Sequence, residues 1–210
     1  SMFVSFPEEE VRWVPLGEVA TCYSGATPLT TETKFWENGT IPWMSSGEVN
    51  KGTVSNTEKF ITEEAFNSCS TKMVPSESLV IALAGQGKTR GMVARILSPL
   101  CTNQSLAAIV PDDTKANYSY LYFFLKTQYQ TLRSISSGDG TRGGLNLQMI
   151  RDFKVPLPAL EIQKEIANRL EKFDQLVNDL STGLPAEIEG RRKQYEHYRD
   201  KLLTFKELAA

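Results

Sequence analysis

LEIQKEIANRLEKFDQLVNDLSTGLPAEIEGRRKQYEHYRDKLLTF, residues 160–205, decides how this chain is organised. Within it Ile166, Leu170, Phe173, Val177, Leu180 and Leu184 step by alternating four and three residues, and apolar positions resume at Ile188, Tyr195, Tyr198 and Leu202. That spacing is a coiled-coil seam rather than a broad core-facing stripe. Leu160 to Leu180 and Leu184 to Phe205 therefore read as two amphipathic helical stretches, which would together span roughly 65 Å if they ran on in one direction. Between them Ser181-Thr182-Gly183-Leu184-Pro185 supplies a glycine able to end one helix and a proline suited to the first turn of the next, so a bend or a full reversal is open there. The favoured reading is an arm that dimerises or docks, and the alternative is a helical hairpin folded back on its own domain.

Upstream of the arm the pattern is β-like and punctuated by glycine. Ile41 to Met44 reads as a strand running into the polar turn Ser45-Ser46-Gly47-Glu48, and Thr62-Glu63-Glu64 favours a capped helix up to Cys69. Ser78 to Leu83 and Gly91 to Leu97 are apolar and β-branched on either side of Ala84-Gly85-Gln86-Gly87-Lys88-Thr89-Arg90, which predicts a hairpin with a long exposed tip. Leu106 to Val110 is a further buried strand. Tyr118, Tyr122, Leu125, Tyr129 and Leu132 recur at helical spacing, so Tyr118 to Leu132 is expected to be a core-facing helix. A second glycine-rich loop covers Ser134 to Gly144, and the prolines of Val155-Pro156-Leu157-Pro158 are expected to end the globular module. The expected fold class is α+β: a mixed, β-rich globular domain over residues 1–158, followed by a long C-terminal helical coiled-coil arm over residues 159–210.

Composition is ordinary for a folded chain, and no run approaches the roughly 20 apolar residues of a membrane span. With Glu8-Glu9-Glu10 in place of a signal-peptide pattern, the expectation is a cytoplasmic protein with no membrane contact. Cys22, Cys69 and Cys101 are odd in number, far apart and in no metal-ligand spacing, which points to reduced, buried thiols and to neither zinc nor disulfides. Net charge is −2, yet residues 1–70 hold 4 basic and 10 acidic side chains, residues 71–155 hold 10 and 5, and residues 156–210 hold 9 and 10. Only the middle segment has the basic excess that phosphate contacts need.

Ala82-Leu83-Ala84-Gly85-Gln86-Gly87-Lys88-Thr89 ends like a phosphate-cradling loop, but Ala82 stands where the first glycine is required. Gly91-Met92-Val93-Ala94 then continues as strand instead of opening a helix, so nucleotide hydrolysis is not supported. Gln86, Lys88, Thr89 and Arg90 on one glycine-freed tip do suit base reading and phosphate gripping, since glutamine can pair adenine and arginine guanine in bidentate fashion. Thr141 and Arg142 in the second loop, and Ser45 and Ser46 after Trp43, are further DNA-contact candidates. His197 is the sole histidine and lies on the helical arm, so no serine triad or histidine metal site can be assembled. No cofactor motif is present, and no catalytic residues are expected.

These stretches resemble the specificity subunit of type I restriction-modification systems. The resemblance runs through Trp13-Val14-Pro15-Leu16-Gly17-Glu18-Val19, Ile41-Pro42-Trp43, Ile61-Thr62-Glu63-Glu64-Ala65, Thr102-Asn103-Gln104 and Gly144-Leu145-Asn146. It is strongest at Val155-Pro156-Leu157-Pro158 with Gln163, Ile166 and Leu170, and again from Arg191 to Phe205. It implies a non-catalytic reader of one half of a bipartite double-stranded DNA target. It also implies partners: adenine methyltransferase subunits that bring S-adenosylmethionine, and a restriction subunit carrying motor and nuclease. Complete members carry two recognition domains and two helical regions, so one of each here resembles a half subunit or one half of a whole. Two copies are then expected to pair as a homodimer through antiparallel arms, with Leu170, Phe173, Val177, Leu180, Leu184, Ile188, Tyr195, Tyr198 and Leu202 at the dimer or partner interface. Arg191, Arg192, Lys193 and Arg199 are the expected polar docking contacts. A coiled-coil protein-interaction adaptor without DNA binding is the competing reading.

Overall fold

The computed structural model describes residues 10–85, 88–135, 144–179 and 185–207. β1 (Glu10–Pro15), the single turn α1 (Leu16–Val19) and β2 (Ala20–Ser24) follow one another directly. β3 (Ile41–Met44), β4 (Thr53–Val54) and β5 (Lys59–Ile61) come next, with a 3-10 helix over Ser46–Lys51 between the first two. After α2 (Glu63–Ser68), the strands β6 (Met73–Val74), β7 (Ser78–Ala82), β8 (Val93–Ile96), β9 (Leu100–Thr102) and β10 (Leu106–Pro111) complete two sheets. The chain then turns helical in α3 (Tyr118–Thr127), α4 (Tyr129–Ile135) and α5 (Leu147–Asp152). It returns to strand in β11 (Lys154–Leu157) and continues as α6 (Leu160–Asp179), α7 (Pro185–Leu203) and β12 (Lys206–Glu207).

Three helices start on side-chain caps that the sequence supplies locally. Thr62, Asn117 and Asn146 accept from the backbone N–H of Ala65, Tyr120 and Met149 at 3.3, 3.0 and 2.9 Å, opening α2, α3 and α5. The expected single helix from Tyr118 to Leu132 is two, because the Gln128 N–H closes back on the Leu125 carbonyl (3.0 Å) and the chain restarts at Tyr129.

A five-stranded sheet in the order β2-β10-β7-β8-β4 forms the middle layer. Strand alternation assigns its two faces. Leu79, Ile81, Val93, Ala107 and Ile109 meet the helices, whereas Val80, Ala82, Ala94, Ile96, Leu106 and Ala108 pack with Met44, Val74 and Leu100 of a four-stranded sheet, β5-β3-β9-β6. α3 lies between the middle sheet and α6 and is buried from Ser119 to Leu125. Burying side chains such as Phe123 and Phe124 stabilises the fold by about 1.5–3 kcal/mol each. Tyr120 is equally enclosed, but its hydroxyl donates to the Pro156 carbonyl (2.9 Å), and burial pushes the phenol well above its usual range.

The prolines at 156 and 158 do not end the packed core. Pro156 sits opposite Trp13 in β11, an edge strand of the small sheet β11-β1-β12, where its missing N–H costs no ladder bond. Ile166, Ala167 and Leu170 of α6 and Tyr195 and Leu203 of α7 belong to the same buried cluster as α3. Gln163 is fully buried and satisfies three backbone groups, accepting from Asn117 N–H (2.9 Å) and donating to the carbonyls of Lys115 (3.1 Å) and Pro158 (2.9 Å).

Of the two readings, the structure takes the helical hairpin folded back on its own domain: α7 lies beside α6, and Phe173 stacks on Tyr198 with ring centroids 5.8 Å apart and planes 12° apart. The helices form a hairpin because the last turns of α7 carry their own core residues back to the domain. β12 then pairs in parallel with β1, Glu10 opposite Lys206 and Val11 opposite Glu207. Among the described residues, no helix is long and apolar enough to cross a membrane.

Candidate nucleic-acid interface

One end of the two main sheets gathers the loops. The registers Ser24 with Ala107, Ala82 with Leu106, Ile81 with Val93, and Met44 with Thr102 bring the strand ends that carry them to a common edge. Gly25 fastens that edge, since a Cβ there would lie 1.8 Å from the Thr102 carbonyl oxygen, so only glycine lets the backbones approach.

Backbone bonds stitch the loops to one another. Leu83 N–H donates to the Ser105 carbonyl at 2.8 Å, Leu145 N–H to the Leu83 carbonyl at 3.1 Å, and Asn103 N–H to the Met44 carbonyl at 3.1 Å. The tip between β7 and β8 is a hairpin as expected, closed by Gly91 N–H on the Ala82 carbonyl (2.9 Å) and Met92 N–H on the Thr89 carbonyl (2.9 Å). Gly85 has φ +138°, and a Cβ there would meet the Thr89 hydroxyl at 2.1 Å, so the tip needs glycine at this point.

Of the tip candidates, Lys88 is exposed, and its carbonyl accepts from the Tyr129 hydroxyl at 2.6 Å. Thr89 and Arg90 are half-buried. Arg133 of α4 donates to the Tyr129 hydroxyl (3.1 Å) and lies 5.5 Å from that ring's centroid, bringing a cation that the sequence reading did not select to the side of the tip. Gln86, Thr141 and Arg142 lie outside the described residues, but Gly144, which follows the second loop, is placed 3.6 Å from the Leu83 carbonyl by its would-be Cβ.

Ser45 and Ser46 follow β3 at the same edge and are half-buried. The Ser45 hydroxyl donates to Glu48 (3.3 Å), and its N–H bonds the same carboxylate (3.0 Å) in a capping box that starts the 3-10 helix. Ser45 therefore has a structural task whatever else it contacts.

Not all of the basic middle segment faces outward. Arg95 of β8 pairs with Glu171 of α6 and bonds the Thr53 hydroxyl (2.9 Å), and its guanidinium lies 4.9 Å from the Tyr122 ring. Arg151 donates to the Cys22 carbonyl at 2.9 Å. Burial pushes the Cys22 and Cys101 thiols up to about 11, which leaves them protonated at neutral pH.

Of the expected interface residues, Leu170 and Tyr195 are buried within this chain, and Phe173 and Leu202 pack against the same cluster. Leu180 and Leu184 lie outside the described residues; Val177 and Ile188 fall on α6 and α7, with side chains outside the described set. Tyr198 is half-exposed, and His197 is exposed. Arg191, Arg192 and Lys193 are exposed, Lys193 beside Glu189 (3.0 Å), while Arg199 is half-buried beside Asp200 (2.7 Å).

Loops are thus collected at one end of the sheet pair, and a helical hairpin is rooted in the same core, the arrangement in which a scaffold presents loop surface. Residues 8–190 match the family model described as the type I restriction modification DNA specificity domain, and the chain belongs to that family. It is 36% identical over 204 residues to the type I restriction enzyme EcoR124I/EcoR124II specificity subunit of Escherichia coli, covering 96% of this chain and 50% of that one. It is 32% identical over 168 residues to the MjaIX specificity subunit of Methanocaldococcus jannaschii, covering 78% of this chain and 37% of the other. The crystal structure of the HsdS subunit from Thermoanaerobacter tengcongensis shares the fold at a TM-score of 0.64 and 20% identity, with coverage of 95% and 46%. The chain thus spans about half the length of the first relatives it matches.

Proposed function

We propose that this chain reads one half of a bipartite DNA site without performing chemistry itself. Residues 1–158 form the reading part and residues 159–210 the spacing and docking part. The observation that carries the reading is the convergence of the β2, β3, β7–β8 and β9–β10 loops at one edge, with exposed Lys88 on the hairpin tip, in a member of the DNA specificity family. Gln86, Lys88, Thr89, Arg90, Thr141 and Arg142 supply base and phosphate contacts, with Ser45 and Ser46 at the margin. Adenine methyltransferase subunits and a restriction subunit dock on the helical hairpin in the cytoplasm, and all catalysis resides in them.

Two copies pair through the hairpins. Support comes from length, because one chain covers 50% of the Escherichia coli relative, and from Leu176, which is 53% exposed on α6 beyond the core-packed turns. An antiparallel pair has closed twofold symmetry and sets two reading edges at a fixed separation.

The test is retention of a mixed-sequence duplex at rising salt, followed by methylome mapping with the cognate methyltransferase. Steep loss of retention with salt and a single modified bipartite motif are expected. Salt-independent retention, or none at low salt, would favour the adaptor reading instead.

A further inference from the structure

Loop residues 26–40 and the edge strand β5 enclose an open cavity of about 580 Å³, lined by Thr27, Thr30, Trp36, Trp43, Lys59 and Phe60 among others. The Trp36 and Trp43 indoles form a corner, with centroids 5.1 Å apart and planes at 86°. Their N–H groups are already committed: Trp36 Nε1 donates to the Leu29 carbonyl (3.1 Å) and Trp43 Nε1 to the Ala26 carbonyl (3.0 Å). The indoles therefore pin the loop and leave only ring surface for a ligand. Phe60, 43% exposed, adds a third ring. An apolar recess fixed in advance with a polar rim is the form of a ligand site, and rings without free donors favour a planar occupant.

The charges choose the class of that occupant. Aromatic walls with a free carboxylate would suit an ammonium ligand, but the rim carboxylate, Glu58, is bonded to the Lys51 ammonium at 3.1 Å, which it shares with Glu48 (2.9 Å). Lys59 has no ion-pair partner among the described residues, and its ammonium lies 5.9 Å from the Trp36 ring centroid. The cavity thus joins ring surface to an ammonium that no described carboxylate engages, which fits an aromatic ring bearing a phosphate. Its rim also adjoins the reading edge, because the Thr27 hydroxyl donates to the Gln104 side chain (2.5 Å), next to Ser105, whose carbonyl holds Leu83.

We infer that this cavity takes one unstacked nucleotide of the bound DNA, the base against Trp36 and Phe60 and its phosphate at Lys59. The inference rests on the DNA-reading proposal and adds a contact that tolerates any base, since every base has a stacking face.

The experiment follows the indole N–H resonances of the full, 15N-labelled chain, whose three tryptophans are Trp13, Trp36 and Trp43. Thymidine monophosphate, decathymidylate and a mixed-sequence duplex are titrated separately. Trp36 and Trp43 are expected to shift with both thymidine probes, more tightly with decathymidylate, while Trp13, packed on Phe124 in the helix-side core, stays put and reports the fold. Trp36→Ala and Lys59→Gln should each weaken decathymidylate binding about tenfold. Should Trp36→Ala fail to fold, the exposed Lys59→Gln substitution carries the test. Retention of the duplex with unmoved Trp36 and Trp43 signals and unchanged variants would overturn the cavity while leaving DNA reading intact. Shifts with the monophosphate alone would overturn the DNA strand as the source. Loss of all DNA retention at low salt in the parent chain would sink the reading on which the inference rests.

Discussion

Glu48 is 2% exposed, yet it is bonded as a carboxylate. Burial favours its neutral form, but the N–H groups of Ser45 and Glu58 (both 3.0 Å) and the Lys51 ammonium (2.9 Å) outweigh it and hold the carboxyl below the ordinary glutamate value. A depressed folded-state value means that the carboxylate stabilises the fold at neutral pH, and that this contribution is lost as pH falls below about 4.3. Glu48→Gln is expected to lose about 1–3 kcal/mol at neutral pH, read as a lower urea midpoint, with the gap to the parent closing in acid. An unchanged midpoint at neutral pH would remove this role. Lys88 lies at the opposite extreme, exposed and on the hairpin tip. Lys88→Ala should weaken binding about equally across duplex sequences and lower the salt slope by about one phosphate. A change in sequence preference would instead make Lys88 a base reader. The exposed place of Lys88 on the hairpin tip was legible from residue type and the flanking glycines. The place of Trp36 and Phe60 was not, because the recess they line exists only once the loop over residues 26–40 folds against a strand some twenty residues further on.

The elements read most directly from sequence are those whose signals are local. β7, β8 and β10 are apolar runs bounded by turn residues, and α2 carries its cap at Thr62 and its acidic first turn at Glu63 and Glu64. The break between α3 and α4 went unread because Tyr118 to Leu132 keeps helical spacing through Gln128. The path of the last two helices could not be read from the seam, since Gly183 and Pro185 permit either a straight course or a reversal. The decision is tertiary: Tyr195, Leu203 and Phe205 pack into the core around α3, and only a returning α7 allows that. Arg95 and Glu171 join the strand after the β7–β8 tip to the first helix of the helical hairpin, with the Ser119 hydroxyl donating to the same carboxylate at 3.1 Å. Removing one member of a largely buried pair leaves the other uncompensated, so Glu171→Gln and Arg95→Ala should each cost about 1–3 kcal/mol. Amide exchange should then quicken in α6 and α7 before it does in β7 and β10. Uniform exchange across all four would mean that the pair does not brace the hairpin.

For the whole molecule the open quantity is the number of copies. The core-packed turns of α6 and α7 satisfy one chain, and Leu176 lies exposed beyond them. Sedimentation at micromolar concentration is expected to give a dimer, and Leu176→Glu should shift it toward monomer while leaving the monomer's melting temperature within a few degrees. A monomer at every micromolar concentration would sink the paired reader. The parallel contact between β12 and β1 has a different consequence. It sets Lys206 beside Glu10, so the described path comes back to where it started and the backbone approximates a ring. A crossover linker of about a dozen residues joining Glu207 to Glu10, as parallel neighbours require, with the chain reopened between exposed Asp113 and Thr114, would give a circular permutant that keeps every strand pairing.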